Sequence, residues 1–255
     1  MALIKNDIPI LEYDDCHSAV IIPTHEHLDI QLPKKAVYAF LGDVIDEYAK
    51  THNAKKVAEF ISATKNYPIC IVAYKGEEIC LCQAPVGAAS ATQIMDWLIG
   101  YGVETVIAAG SCGALADFPE NTFLIPVKAL RDEGTSYHYL PPSRYVELNR
   151  EVLDSIENIL DKMNFPYTEC VTWTTDGFYR ETRDMVAYRK EEGCTVVEME
   201  CAALAACAEF RGVAFGQLLF TADTLANVDA YDERDWGAES FGKALIICLD
   251  IVREM

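Results

Sequence analysis

The sequence predicts an α/β fold: a single domain over residues 1–255, with a central mixed β-sheet flanked by helices. Two observations carry this expectation. Apolar runs of strand length alternate with runs of helical periodicity to the end of the chain, and three of the strand-length runs stop at polar clusters. With 255 residues and 51% hydrophobic content, the chain can bury a substantial core.

In chain order, residues 18–23 (SAVIIP) read as a buried strand. Residues 35–50 read as an amphipathic helix, with Val37, Phe40, Leu41, Val44, Ile45 and Tyr48 at helical spacing. Residues 70–74 and 78–83 are β-rich runs around Lys75-Gly76-Glu77, a hairpin pattern. A helix follows over 88–101, stopped by Gly100 and Gly102, and then a strand over 104–109 ending at Gly110. Further strands are expected at 122–128, 170–174, 195–198 and 215–221, and helices at 145–163, 200–210 and 239–253. This rhythm favours a largely parallel sheet, on which ligands bind at the carboxyl ends of strands. The acidic stretch 229–239 reads as a mobile loop placed to cover such a site.

Composition narrows the function. A formal net charge of −19 argues against nucleic acid or an anionic membrane surface as partner, because phosphates are bound through clustered Lys and Arg. A small-molecule ligand is expected instead. No apolar run approaches the roughly 20 residues that span a bilayer. Met1-Ala2-Leu3-Ile4-Lys5-Asn6-Asp7 leads into no signal-peptide core, which points to the cytoplasm and to reduced thiols for the ten cysteines. No metal is expected: Cys80 and Cys82 lack the spacing and second pair of a zinc site, and His25 and His27 read as an exposed polar pair.

The three polar clusters are Gly110-Ser111-Cys112-Gly113, Glu198-Met199-Glu200 and Thr221-Ala222-Asp223-Thr224. Together they would wall one pocket. Two glutamates where an apolar strand becomes an Ala-rich helix need hydrogen-bond partners. A sugar diol would supply them; a salt bridge at the helix start is the alternative. Asp223, at the lip of a buried strand, is a candidate catalytic acid or an N-cap.

With Tyr74-Lys75-Gly76, Asp132-Glu133-Gly134-Thr135-Ser136 and Asp176-Gly177-Phe178-Tyr179, these clusters resemble, in order and over most of the chain, the nucleoside phosphorylase family. That family includes purine nucleoside and uridine phosphorylases and related nucleosidases. The resemblance implies a ribose-binding group of Glu198, Met199 and Glu200. Glu200 would accept hydrogen bonds from the sugar hydroxyls, Met199 would pack beneath the ring, and Glu198 would support the turn. It implies base-binding by Phe178, Thr175 and Asp223, with Asp223 the catalytic residue that protonates a purine ring nitrogen. Uridine phosphorylases carry a Gln and an Arg just beyond the aromatic. Here the Gln is missing from Tyr179-Arg180-Glu181-Thr182-Arg183-Asp184, so the reading leans to purine with uridine left open.

For the phosphate or nucleophile the resemblance implies Gly110 and Ser111, whose turn is an anion cradle. Family phosphorylases add an Arg two residues before that glycine and another in a Gly-Asp-Pro-x-Arg loop. This chain has Ala108 and Pro23-Thr24-His25-Glu26-His27-Leu28 there. Lys65 falls near the position from which hexameric relatives lend an Arg to a neighbouring subunit, and Arg131, Arg180 and Arg234 are further candidates. The expected activity is phosphorolysis of a nucleoside to free base and ribose 1-phosphate, with inorganic phosphate as co-substrate and no cofactor. The alternatives are a phosphate-independent nucleosidase and a non-catalytic nucleoside-binding protein. A homo-oligomer, dimer or hexamer, is expected with either enzyme.

Overall fold

A computed structural model of the chain describes residues 3–255; Met1 and Ala2, at the start of the stretch read for a signal peptide, lie outside the described residues. One mixed sheet organises the molecule, and its strands follow in space the order β10-β6-β8-β9-β5-β1-β4-β3-β2. In chain order these are β1 (Lys35–Ala39), β2 (Lys55–Ile61), β3 (Asn66–Tyr74), β4 (Glu77–Gln83), β5 (Thr105–Ala114), β6 (Phe123–Asp132), β7 (Tyr145–Glu147), β8 (Thr168–Thr175), β9 (Val196–Glu198) and β10 (Ala214–Thr224). The short β7 hangs on β6. Because β10 also pairs with β5, strands β5, β10, β6, β8 and β9 close into a ring, and β1, β4, β3 and β2 extend from it as an arm. Parallel pairings (β1 with β4 and β5, β5 with β10, β6 with β8, β8 with β9) are matched by as many antiparallel ones, so the sheet is mixed but not largely parallel.

Among the described residues six α-helices flank the sheet: α1 (Val44–Thr51), α2 (Ala88–Gly100), α3 (Arg150–Lys162), α4 (Arg183–Glu191), α5 (Cys201–Arg211) and α6 (Phe241–Glu254). Helix α5 is buried from Cys201 through Ala208, wedged between α2 and the β6 and β10 strands. Its alanines allow that close approach, and a helix apolar on all sides belongs in an interior. Helix α6 covers β5 and β1.

Three further expectations are corrected. Residues 18–23 form no strand, and Val20 and Ile21 face solvent, because the first strand of the sheet is β1 and this run finds no edge to pair with. The helix expected over 35–50 is a strand followed by a helix. Ala36 to Ala39 are buried at every position, the pattern of a central strand, and Gly42 at φ +54° breaks the chain before α1. The helix expected over 145–163 begins only after β7, where Asn149 caps α3 by accepting from Glu151 N–H at 2.9 Å. Strand β2 and helix α4 were not expected at all. β2 carries mostly polar or half-buried residues, and α4 is largely polar, so neither shows a strong apolar period.

Candidate active site

The three polar strand ends meet. Gly110, Ser111, Cys112 and Gly113 from β5, Glu198 to Glu200 between β9 and α5, and Ala222 and Asp223 from β10 line one cavity of about 170 Å³. Phe40, Val86, Phe178 and Trp236 supply much of its apolar wall, and a wider chamber of about 440 Å³ adjoins it through Phe178, Glu181, Asp223 and Trp236. A larger cleft of about 650 Å³ opens between residues 16–26 and α2. Two of its acids are already engaged: Asp96 by two bonds from Arg211 and Glu26 by the Trp97 indole. The strand-end cavity is therefore the better candidate for chemistry.

Backbone irregularities aim the carboxylates. Between Thr221 and Thr224, β10 spends one more residue than its partner run from Cys112 to Ala114, and this bulge carries Asp223 to the cavity. Gly113 makes room for it: a Cβ there would lie 3.2 Å from Asp223 Oδ1 and 3.0 Å from Val197. Opposite, Gly87 adopts φ +102°, a region that favours glycine, and its N–H donates to Glu200 Oε1 at 2.5 Å.

The two glutamates of the opening motif have different tasks. Glu198 Oε1 accepts from the hydroxyls of Thr172 (3.1 Å) and Thr174 (2.6 Å), and Oε2 accepts from the amides of Glu200 (2.7 Å) and Cys201 (2.6 Å). Both oxygens are thus engaged within the fold. Glu198, placed on sequence in the ribose-binding group as the residue that supports the turn, braces that turn and the first amides of α5, and Met199 and Glu200 line the cavity with it. Burial pushes the Glu200 carboxyl up to about 8, with the nearby charge of Glu198 adding to the rise. Burial also raises Asp223, opposed by a hydrogen bond from Tyr231 and by the charge of Arg234.

The remaining sequence candidates fall at varied distances from the cavity. Phe178 stands in its wall, 42% exposed. Thr175 lies outside the lining; its hydroxyl accepts from Gly177 N–H at 3.1 Å and so holds the turn that carries Phe178. Lys65 is exposed on the β2–β3 turn, over the ring of Tyr67 and away from this cavity. Arg131 is locked in bonds to Ser136, Leu140, Pro141 and Ser143, and Arg234 donates to the carbonyls of Phe118 and Ala222. Arg180 is exposed.

Two residues that no sequence signal singled out also line the cavity. Gln217 is 2% exposed, its Oε1 has no partner among the described residues, and it pairs across the sheet with Ala108. Glu181 follows Phe178 by three positions, and burial together with the Asp223 charge raises its carboxyl to about 7.

Fold and cavity define an α/β protein with a small cavity bordered by acidic groups at the strand ends. The model of the phosphorylase superfamily matches residues 34–252, and the chain belongs to that superfamily. It is 25% identical over 162 residues to a guanosine phosphorylase of Halorubrum lacusprofundi, a match covering 63% of this chain and 67% of that protein. Among solved structures it is similar to a purine nucleoside phosphorylase from Toxoplasma gondii (TM-score 0.73, 17% identity, 93% of this chain and 97% of that one). It is similar also to an AMP nucleosidase from Bacteroides thetaiotaomicron (TM-score 0.70, 22% identity, 87% and 88%). The superfamily's common chemistry is cleavage of an N-glycosidic bond. Among the described residues, no helix is long and apolar enough to cross a membrane.

Proposed function

We propose that the protein cleaves the N-glycosidic bond of a purine nucleoside and that water is the attacking nucleophile. The observation that supports water is the charge of the cavity. Glu181, Glu198, Glu200 and Asp223 all line it, and among the described residues no Lys, Arg or His does. Recognition of phosphate rests on guanidinium or ammonium groups, and this lining offers neither. The neutral polar groups of the lining are the Ser111 hydroxyl and the Gln217 amide.

Each step of the cleavage has a residue suited to it. Breaking the bond builds positive charge on the sugar and negative charge on the base. Glu200, ionised when it accepts two ribose hydroxyls, orients the sugar and stabilises the cationic ring. Asp223, whose hold on a proton is strengthened by burial, delivers that proton to the imidazole nitrogen of the departing purine. Phe178 and Trp236 hold the base by its faces.

Phosphorolysis is the second reading, favoured by the phosphorylase named above at 25% identity. It requires a cation at Ser111, as from Lys65 of another copy of the chain. Incubation with adenosine, guanosine, inosine and uridine, with and without phosphate, separates the two. Phosphate-independent release of base with free ribose is expected; ribose 1-phosphate formed only with phosphate would overturn the water reading.

A further inference from the structure

We propose that Glu181 selects the base, accepting the exocyclic amine of a 6-aminopurine and disfavouring a 6-oxopurine; this rests on the nucleoside-cleaving reading above. Glu181 lines both the inner cavity and the outer chamber, in company with Asp223 and between Phe178 and Trp236. The chain on either side of it is fixed. Arg180 N–H donates to Gly177 O at 2.6 Å, a turn so tight that a Cβ on Gly177 would lie 3.2 Å from Arg180 Cβ. On the other side Thr182 caps α4 through Met185 N–H at 3.3 Å.

The carboxylates of the cavity differ in what they already hold. Glu198 has four donors, Glu200 has Gly87 N–H, and Asp223 has Tyr231. Among the described residues no donor bonds to Glu181. Glu181 is half-buried in the lining of both spaces, and a carboxylate partly withdrawn from water without donors is costly. A ligand that brings an N–H group to this point removes that penalty.

The geometry of a purine says which N–H. The imidazole nitrogen that is not bonded to the sugar takes the proton from Asp223, and the substituent on carbon 6 is its nearest neighbour on the base edge. A carboxylate beside Asp223 therefore faces that substituent. An amine there donates to Glu181; a carbonyl there sets two acceptors against each other, and sites built around hydrogen bonds reject such mismatches strongly.

The test compares kcat/KM for adenosine and inosine in the wild type and in Glu181→Gln. The wild type is expected to prefer adenosine at least tenfold, and the variant, whose amide can donate to a carbonyl, to lose at least fivefold of that ratio. A wild-type ratio of one or less, or a ratio that Glu181→Gln leaves within twofold, overturns the proposal while leaving the cleavage reading standing. Should neither nucleoside be cleaved, calorimetric binding of adenine and hypoxanthine makes the same comparison. Adenine preference abolished in Glu181→Gln then supports the role of Glu181 although the cleavage reading has failed, and equal or absent binding of the two bases overturns it.

Discussion

Glu198 Oε2 accepts the backbone amide of Glu200 at 2.7 Å, so the first carboxylate of the motif holds the second in place. The same oxygen takes Cys201 N–H, while Oε1 takes two threonine hydroxyls on β8. Glu198→Ala would leave two amides and two hydroxyls without their acceptor in a buried site. Each orphaned buried group costs about 1–3 kcal/mol, partly relieved by entering water. A destabilisation of about 3 kcal/mol or more is expected by urea denaturation. A loss below about 1 kcal/mol would show that the brace is dispensable.

Glu200 behaves in the opposite sense. Its carboxyl sits at about 8 in the fold against an ordinary 4.5, so between those values the unfolded chain ionises first and the folded state alone keeps the proton. Folding stability contributed by this group is fully present below pH 4.5 and is lost as pH rises toward 8. Glu200→Gln should remove that slope, giving a Tm above wild type at pH 8 and near it at pH 4.5. The variant should also lose charge-assisted bonds to the sugar, worth about 1.5–3 kcal/mol, or roughly 10- to 100-fold in kcat/KM. A thermal-melt series against pH together with kinetics checks both; full activity in Glu200→Gln would remove it from the sugar site.

Asp223 and Tyr231 give a pH signature. Burial raises Asp223 and the Tyr231 hydrogen bond pulls it down, so Tyr231→Phe should raise it further. A general acid works in its protonated form, so the alkaline limb of the kcat/KM profile should move to higher pH in Tyr231→Phe. In Asp223→Asn the limb should vanish and the rate fall about 10²- to 10⁴-fold. A limb that does not move in Tyr231→Phe would assign it to another group.

Much of this arrangement was legible in the chain. The polar ends of β5, β9 and β10 stood out because polar residues interrupt apolar runs there, and Glu198-Met199-Glu200 stood out because two acids at a strand end are anomalous. Glu181 and Gln217 did not. An isolated Glu in a polar loop and a Gln inside the apolar run of β10 carry no spacing signal, and only the closing of β10 onto β5 places Gln217 beside Ala108. The motif gave Glu198 the turn and Glu200 the sugar but not the side chains that complete the brace, since Thr172 and Thr174 lie on a strand more than twenty residues earlier. Strand β1 was hidden for a related reason. Its burial on both faces removes the alternation by which a strand is told from a helix.

Gly113 tests whether Asp223 is placed by packing. A methyl group there would meet Val197 at 3.0 Å, Leu225 at 3.1 Å and Asp223 Oδ1 at 3.2 Å, with the bulge of β10 unable to retreat because Thr224 is tied to Ala114 and Asp232. Overpacking of this kind costs about 1–3 kcal/mol. Gly113→Ala should therefore be less stable by that amount and, by moving the acid off the base, at least tenfold slower in kcat. Gly242→Ala in α6 is the matched control: nothing lies within 4 Å of the added carbon, and a helical Gly→Ala change stabilises by about 0.5–1 kcal/mol. It should raise Tm and leave kcat within twofold. If Gly113→Ala lost stability but kept kcat, the close approach of β5 and β10 would be structural only and Asp223 would be held by Tyr231 instead.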